Sequence, residues 1–260
     1  MTTGYEDLHV QAGDGVVTIT LDRPRVKNAV RLQTCDELIR CLDAAESDPT
    51  TRVIVLAHTG RYFSAGGDLA GYTDKPQAAF REYTQAFKRL WLRMASCQRP
   101  IVARVEGDVL GGGLGLVAAC DLIVSSATAR YRCPEIDVGL WPMMLSPILV
   151  RVMGARLALD LMMTGRALSA AEAASAGLIS RVVAPEEVAA ETARVVAVLA
   201  AKSPLALRMG RRSFYAMRDM ELGQALEYTG DLLALLVFSH DGQEGVRAFL
   251  DKRTPAWRGY

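Results

Sequence analysis

The sequence predicts an α/β fold in which strands and helices alternate before a helical C-terminal part. Short runs rich in β-branched residues recur in the first half of the chain. Between these runs lie stretches with apolar residues three and four positions apart, the spacing of amphipathic helices. No Pro/Ser-rich linker and no block of charge divides the 260 residues. One compact α/β unit with a helical tail is therefore expected.

The predicted elements follow one another in a regular order. The predicted strands are GVVTITL at 15–21, RVIVLAHT at 52–59, IVARVEG at 101–107 and CDLIVSS at 120–126. Helices are predicted for LQTCDELIRCLDAAESD at 32–48 and QAAFREYTQAFKRLWLRMASC at 77–97. The segments after Arg151 have an almost entirely helical pattern.

Two glycine-rich turns each follow a predicted strand and lead into a helical pattern. They are RYFSAGGDLAGY at 61–72 and GDVLGGGLGLVAACD at 107–121. Glycine lets backbone amides approach a ligand oxygen, and a helix N-terminus adds partial positive charge. Two such turns could direct two amides at one oxygen, as in an oxyanion hole. Tight turns with close helix packing are the alternative, whereas a dinucleotide site is excluded because the GxGxxG spacing fails at Leu116.

Composition excludes several other classes of function. The 30 basic and 29 acidic residues give a net charge of +1, which favours neither nucleic acid nor an anionic membrane. No apolar run reaches the ~18 residues of a membrane span, and MTTGYEDLHV does not resemble a signal peptide. Five dispersed cysteines predict reduced thiols and a cytoplasmic location. Three isolated histidines predict no metal site.

Several motifs together resemble the crotonase superfamily, the enoyl-CoA hydratases and isomerases. The central matches are FSAGGDL at 63–69, the GGG helix start, and ACDLIVSSATARYRCPEIDVGL at 119–140. The outer matches are DRPRVKNAV at 22–30, GRALSAAEAASAGLISRVV at 165–183 and HDGQEGVRAFLDKRTPAW at 240–257. The resemblance covers essentially the whole chain.

The resemblance implies a crotonase-like spiral of ββα turns with a helical C-terminal trimerisation region. It places the spiral core and acyl-CoA site in residues 1–200, and the oligomerising helices in 201–260. Trimers, commonly paired into hexamers, are the implied assembly. The implied substrate is an acyl-CoA thioester, and no separate cofactor is expected because coenzyme A is part of the substrate.

The resemblance also assigns site residues. Gly67 and Gly112 would hold the thioester oxygen through their amides. Contacts along coenzyme A or the acyl group are implied for Arg25, Lys27, Ala65, Gly66, Asp68 and Gly113. Arg25 is a candidate phosphate partner. Asp68 would also cap the following helix.

One of two acids that family hydratases usually carry is missing. Glu135, in CPEIDVGL, matches one of them, whereas Gly115 stands where the other is expected, three residues after Gly112. Hydration normally uses two carboxylates, but moving a double bond between the β,γ and α,β positions needs only one base. The sequence therefore favours an isomerase in which Glu135 shuttles the proton. A single-glutamate hydratase and a catalytically weak acyl-CoA-binding subunit remain alternatives.

Three further features of the sequence bear on the site. Trp141, Met143 and Met144 either line the acyl pocket or pack in the core. Asp137, two residues after Glu135, is expected to point away from it and to be a poor substitute for the missing acid. The basic stretch RMGRRSFYAMR at 208–218 is either a solvated helix face or a site for phosphates or a partner subunit.

Overall fold

The computed structural model describes residues 4–69 and 76–260. The chain begins with an antiparallel hairpin of β1 (Leu8–Gly13) and β2 (Val16–Leu21). Its two-residue turn has Asp14 and Gly15 at φ 50° and 76°, the left-handed conformation that tight hairpins require. Buried and partly buried residues alternate along β2, as expected for a strand with one face on the core.

The larger sheet has six strands. After β2 it contains β3 (Val53–His58), β5 (Ile101–Val105), β7 (Leu122–Ser126) and β10 (Arg181–Val183), in the order β1-β2-β3-β5-β7-β10. All neighbours after the first hairpin are parallel. Every residue of β3 is buried, because helices cover both faces of the sheet at its centre.

The smaller sheet has four strands of three residues each. They are β4 (Tyr62–Ser64), β6 (Asp108–Leu110), β8 (Arg130–Arg132) and β9 (Ala167–Ser169), and they pair in that order. The pairs β3/β4, β5/β6 and β7/β8 each place one strand in the large sheet and the next in the small one. The predicted crotonase-like spiral is thereby confirmed.

Ten α-helices accompany these strands in the described ranges. They are α1 (Leu32–Ser47), α2 (Gln77–Ser96), α3 (Gly112–Ala118), α4 (Ser146–Met153), α5 (Ala155–Thr164), α6 (Ala170–Ser175), α7 (Val188–Ala200), α8 (Pro204–Met217), α9 (Leu222–Val237) and α10 (His240–Leu250). None of the helices in the described part of the chain is long and apolar enough to cross a membrane.

The core has two parts, on opposite faces of the large sheet. The larger one packs α1, α2 and α3 against Ile19, Ile54 and Ile101, among others. The smaller one packs Val188, Val195 and Val196 of α7 against valines of β3, β5 and β7: Val53, Val55, Val102 and Val124. Each fully buried aliphatic side chain contributes roughly 1.5–3 kcal/mol, so these contacts fix the position of the strand ends from which the glycine turns start.

The C-terminal helices are anchored to this core by a buried ion pair. Arg211, only 9% exposed, donates from Nε to Asp121 at 2.7 Å. It also donates to carbonyls at the end of α2, those of Met94 at 2.6 Å and Ala95 at 2.9 Å. The solvated-face interpretation of residues 208–218 is thus wrong for Arg211, because its charge is fully paired inside the protein. The predicted division at residues 200 and 201 falls between α7 and α8 and stays a prediction.

Candidate active site

The first glycine turn leaves one backbone amide free. Beyond β4, the amide of Val30 donates to the Gly66 carbonyl at 2.8 Å, and the amide of Asp68 donates to the Val30 carbonyl at 2.8 Å. These two hydrogen bonds pair Val30 with the residues on either side of Gly67. The amide of Gly67 itself donates to no other group in the described residues. Gly66 adopts φ +96°, which a side chain would disfavour. The end of the predicted turn, residues 70–72, lies outside the described residues.

The second glycine turn leaves another amide free. Gly111, at φ 47° and ψ −125°, precedes α3, and this conformation is essentially restricted to glycine. Its amide donates to the Arg132 carbonyl at 2.9 Å. Gly112 is the first residue of α3, so its amide has no carbonyl partner within the helix and makes no other hydrogen bond in the described chain.

The two turns lie against each other. A Cβ atom on Gly66 would lie 3.0 Å from the amide nitrogen of Gly112, and one on Gly112 would lie 3.3 Å from the amide nitrogen of Gly67. Both Gly67 and Gly112 are only partly buried. Two unpaired donors are thus adjacent and accessible, an arrangement that can stabilise negative charge on one oxygen.

Glu135 lies beside this pair of amides. A Cβ atom on Gly111 would lie 2.9 Å from Oε1 of Glu135, so the carboxyl contacts the backbone just before Gly112. Its Oε2 is buried and has no hydrogen-bond partner among the described residues. Burial raises the pKa of the Glu135 carboxyl above its ordinary value. An acid of this kind can both accept and return a proton.

The backbone at Glu135 differs from the sequence expectation. Residues Pro134–Val138 form a 3₁₀ helix rather than an extended strand. On a strand, residues two positions apart would share one face, so an extended backbone would not have separated Asp137 from Glu135. The short helix nevertheless turns the two acids apart. Asp137 is exposed and pairs with Arg132, which leaves Glu135 as the acid at the glycine turns.

The position of the missing second acid is filled by apolar side chains. A Cβ atom on Gly115 would lie 2.9 Å from Cε2 of Trp91 and 2.9 Å from Cδ1 of Leu145. Neither side chain can accept or donate the protons that a glutamate would transfer. The substitution is therefore accommodated by packing, and it leaves no space in which another carboxylate of the described chain could act from this side.

A row of aromatic side chains on α2 covers Gly67, Gly112 and Gly115. This row was not predicted from the sequence. A Cβ atom on Gly67 would lie 3.3 Å from Cζ of Tyr83, and one on Gly112 would lie 3.1 Å from Cε1 of Phe87. The rings of Tyr83, Phe87 and Trp91 follow one another with centroids 5.2 Å apart. Their spacing of four residues, which places them on one helix face, was the available signal.

The loop before α1 lies alongside the first glycine turn. Lys27 accepts a 2.8 Å hydrogen bond from the amide of Ala65, and its Nζ lies 5.2 Å from the ring centroid of Tyr62. Both Arg25 and Lys27 are exposed, so their cationic groups are accessible. Whether these residues contact coenzyme A stays a prediction.

Asn28, the end of the loop that the resemblance places along coenzyme A, holds this loop in place. Its Nδ2 donates to the carbonyls of Thr59 and Tyr62, both at 2.8 Å, and its Oδ1 accepts from the amide of Arg23 at 2.8 Å. The residue is buried and has φ 53°, a left-handed conformation that Asn tolerates well. Asn28 therefore positions the loop edge to which Ala65 is bound.

Asp68 pairs with Arg23. Its Oδ2 accepts from Nη1 of Arg23 at 3.1 Å, and Nε of Arg23 lies 3.2 Å from the buried Asp7. The carboxylate thereby links the glycine turn to the N-terminal hairpin. Residues 70–75 lie outside the described residues, so the predicted cap of the helix that follows Asp68 stays a prediction.

The remaining predicted contacts fall into different environments. Gly113 is buried, and a Cβ atom there would lie 2.6 Å from Cβ of Ser64, so it allows close packing of α3 on β4. Trp141 and Met144 are partly buried against the larger core. Met143 is 72% exposed, which contradicts packing in the core, while its predicted contact with the acyl group stays a prediction.

The described residues contain no group of three or more His, Cys, Asp and Glu side chains that could hold a metal ion. The described part of the site brings together two backbone donors and one carboxyl group.

Comparisons with known proteins show similarity along almost the whole chain. A family model described as enoyl-CoA hydratase/isomerase matches residues 11–260. The 2,3-dehydroadipyl-CoA hydratase of Escherichia coli (strain K12) is 33% identical over 255 residues, covering 97% of this chain and 99% of that protein. The mitochondrial enoyl-CoA hydratase domain-containing protein 3 of Homo sapiens is 32% identical, covering 94% of this chain and 81% of that protein.

A solved structure also matches almost the entire fold. The enoyl-CoA hydratase of Mycobacterium smegmatis superposes with a TM-score of 0.94 at 32% identity, over 97% of this chain and 99% of that chain.

Proposed function

Because this chain belongs to the enoyl-CoA hydratase/isomerase family, we propose that it moves the double bond of a 3-enoyl-CoA into conjugation with the thioester. The observation that carries the proposal is a single buried carboxyl group beside two free amides, with apolar side chains where a second acid would stand. Family membership itself supports an enzyme acting on CoA thioesters.

In this reaction the thioester oxygen accepts hydrogen bonds from the amides of Gly67 and Gly112. Removing the α-proton converts the carbonyl into an enolate, and the charge develops on the oxygen that faces these donors. The loss of one such donor typically costs ~3–4 kcal/mol of transition-state stabilisation. Both donors are rigid backbone groups, so they need no rearrangement as the charge forms.

Glu135 carries the proton between two carbons. Its carboxylate takes the proton from C2, and the C–H electron pair becomes part of the dienolate. The electrons of the C3–C4 double bond then form a bond from C4 to the proton that Glu135 returns, and the new double bond joins C2 and C3. The carboxyl group ends in its starting state, so one acid completes the cycle. A raised pKa suits this double role.

Hydration is the second candidate, and one observation favours it. The relatives named above are called hydratases, including the 2,3-dehydroadipyl-CoA hydratase. In a hydratase version, Glu135 would orient and deprotonate a water molecule without a second carboxylate. The packing of Trp91 and Leu145 at Gly115 supports isomerisation instead, because it removes both the acid and the space next to it.

The proposal extends to substrate contacts and to location. Arg25 and Lys27 offer exposed positive charges to the phosphates of coenzyme A, and Ala65 and Gly66 lie along its pantetheine arm. The reaction uses only groups of the protein and the thioester, with no separate cofactor. All five cysteines are free and buried, which supports a reducing compartment, and we place the protein in the cytoplasm.

The proposed assembly is a trimer or a dimer of trimers. Its support is the apolar surface of the C-terminal helices. Phe238, which directly follows α9, is 83% exposed, and Phe249 in α10 is 82% exposed. A monomer rarely leaves a cluster of large apolar side chains of this kind in water.

A substrate panel with product masses tests the proposal. Wild type should convert 3-enoyl-CoA to 2-enoyl-CoA without a change of mass, and Glu135→Gln should lose this activity while it still binds coenzyme A thioesters. Rapid gain of one water from 2-enoyl-CoA would establish the hydratase instead. If wild type and Glu135→Gln are equally inactive on both series, the chain is an acyl-CoA-binding subunit.

A further inference from the structure

A cavity of 460 Å³ lies behind the aromatic row, between α2, the end of α3, α4 and α8. Its apolar lining includes Ala118, Ala119, Met144, Ile148 and Val152. None of the residues assigned to catalysis above lines this cavity. Its volume falls in the range of small-molecule sites, ~300–1,000 Å³.

Trp91 links this cavity to the thioester site. Its side chain lines the cavity, and its Cε2 lies 2.9 Å from the Cβ position of Gly115. Gly115 donates its amide to the carbonyl of Gly111 at 3.4 Å, and Gly111 is the glycine beside which the Glu135 carboxyl lies. The indole is therefore shared by the cavity lining and by the packing around the second glycine turn.

The indole is not held in this position by a hydrogen bond. Trp91 is only 9% exposed, and its Nε1 is buried without a partner among the described residues. Buried tryptophans usually find a partner for this N–H. Packing alone therefore holds the indole, and a smaller side chain would extend the cavity towards α3 without breaking a hydrogen bond.

We propose that Trp91 determines acyl-chain length: it limits the wild-type site to short acyl groups, and the cavity behind it accepts the alkyl tail of a longer acyl-CoA once the indole is removed. The inference rests on the proposed acyl-CoA site. It identifies the substrate class of that site as short-chain acyl thioesters.

Most of the cavity lining is apolar, which suits an uncharged alkyl tail. Arg151 is paired with Asp219 at 3.2 Å, and Nη2 of Arg218 donates to the Arg151 carbonyl at 2.8 Å. Lys88 is exposed at the rim. The inner wall, formed by Ala118, Ala119 and the indole, has no charged group.

The test compares the affinities of butyryl-CoA and octanoyl-CoA by calorimetry. Both are saturated and unreactive, so binding is read without turnover. In wild type, octanoyl-CoA should bind no more tightly than butyryl-CoA. In Trp91→Ala, the ratio of the octanoyl-CoA affinity to the butyryl-CoA affinity should rise at least about tenfold, because each buried methylene is worth roughly fourfold in affinity. Trp91→Leu, a less disruptive change, should move the ratio in the same direction, and thermal unfolding verifies that each variant is folded.

Two further variants locate the tail. Adding Ala119→Leu to Trp91→Ala should remove the gain in octanoyl-CoA affinity, because the new side chain occupies part of the cavity. Leu92→Ala is the matched control, since Leu92 also lines the cavity but is 60% exposed, and should leave the wild-type ratio unchanged.

Several results would overturn the inference. One is a tenfold preference for octanoyl-CoA in wild type, and another is a ratio that stays the same in both Trp91 variants. A gain that survives Ala119→Leu would show that the tail lies elsewhere. In each of these cases acyl-CoA still binds and the proposed function stands, whereas wild type that binds neither thioester contradicts both.

Discussion

Glu135 is an uncommon carboxyl group at the residue scale, because one of its oxygens is buried without a partner while the other contacts the glycine backbone. Leaving a buried polar group unsatisfied typically costs about 1–3 kcal/mol. A structural acid would be paired, as Asp7 is with Arg31 at 2.7 Å. The unpaired state of Glu135 is explained if the substrate completes the site.

The pH dependence of activity should show this environment. Burial disfavours the charged form of Glu135 and raises its pKa above the ordinary 4.5. The carboxylate is the base, so kcat/KM should rise with pH and reach half its plateau above pH 4.5. A pH–rate profile of 3-enoyl-CoA isomerisation measures this. A half-maximum at or below 4.5 would mean that Glu135 is solvated or is not the base.

Gly115 should tolerate even a methyl group poorly. Its Cβ would clash with Cζ2 of Trp91 and would lie 2.9 Å from Cδ1 of Leu145, and both of these side chains are buried. Gly115→Ala should lower the free energy of unfolding by about 1–3 kcal/mol, the usual cost of overpacking. Urea unfolding measures the change.

Gly210 provides the matched control for that substitution. It lies within α8, and a Cβ there would meet nothing within 4 Å. Gly210→Ala should raise the free energy of unfolding by up to about 1 kcal/mol, through helix propensity alone. Equal effects at the two positions would refute the packing described around Gly115.

At the scale of elements, the arrangement depends on three contacts between distant parts of the sequence. The two glycine turns meet because β4 and β6 are neighbours in the small sheet. The aromatic row of α2 closes over both turns. Arg211 then fixes α8 against the end of α2.

The Arg211 anchor should be strongly stabilising. Replacing it with Met keeps an apolar stem but leaves Asp121 and the α2 carbonyls without their donor. We expect Arg211→Met to lower the free energy of unfolding by about 3–5 kcal/mol, as measured for buried ion pairs that lose one partner. The adjacent Arg212 is exposed, and Arg212→Met should change the free energy of unfolding by less than about 0.5 kcal/mol. Similar losses for the two variants would contradict the buried anchor.

The longer elements could be predicted from the sequence, whereas the short ones could not. The predicted strand at 52–59 and the predicted helix at 32–48 match β3 and α1 to within a residue at each end. β4, β6 and β8 have three residues each, too few for a periodic pattern, and exist because of their neighbours in the sheet.

The same limit applies to the candidate site. Gly67, Gly112 and Glu135 came from a motif resemblance, and the structure brings them together, although their roles stay proposals. The contact of Trp91 with Gly115 joins positions far apart in the sequence, and no local pattern indicates it. The Arg211 pairing was missed for the same reason, since a buried and a solvated arginine look alike in a basic stretch.

At the scale of the whole molecule, the C-terminal helices present apolar residues that the described chain does not cover. Besides Phe238 and Phe249, the side chains of Leu222 and Leu250 are largely exposed. These residues lie in the region for which an oligomerising role is predicted.

Light scattering after size-exclusion chromatography tests the assembly. Wild type should elute as a trimer or a multiple of it, and Phe238→Glu combined with Phe249→Glu should give monomers, because a charge in an apolar interface is costly. Val198→Glu, at an exposed apolar position on α7, should leave the assembly unchanged. A monomeric wild type at micromolar concentration would refute the proposed trimer.

The central claim is that two backbone amides acidify the α-carbon of a thioester and that Glu135 removes its proton. Deuterium exchange into butyryl-CoA in D₂O, followed by NMR, measures this step whether the complete reaction is isomerisation or hydration. The account predicts enzyme-dependent exchange at C2 in wild type and none above background in Glu135→Gln. Exchange that persists in Glu135→Gln, or that is absent from wild type with the thioester bound, would contradict it.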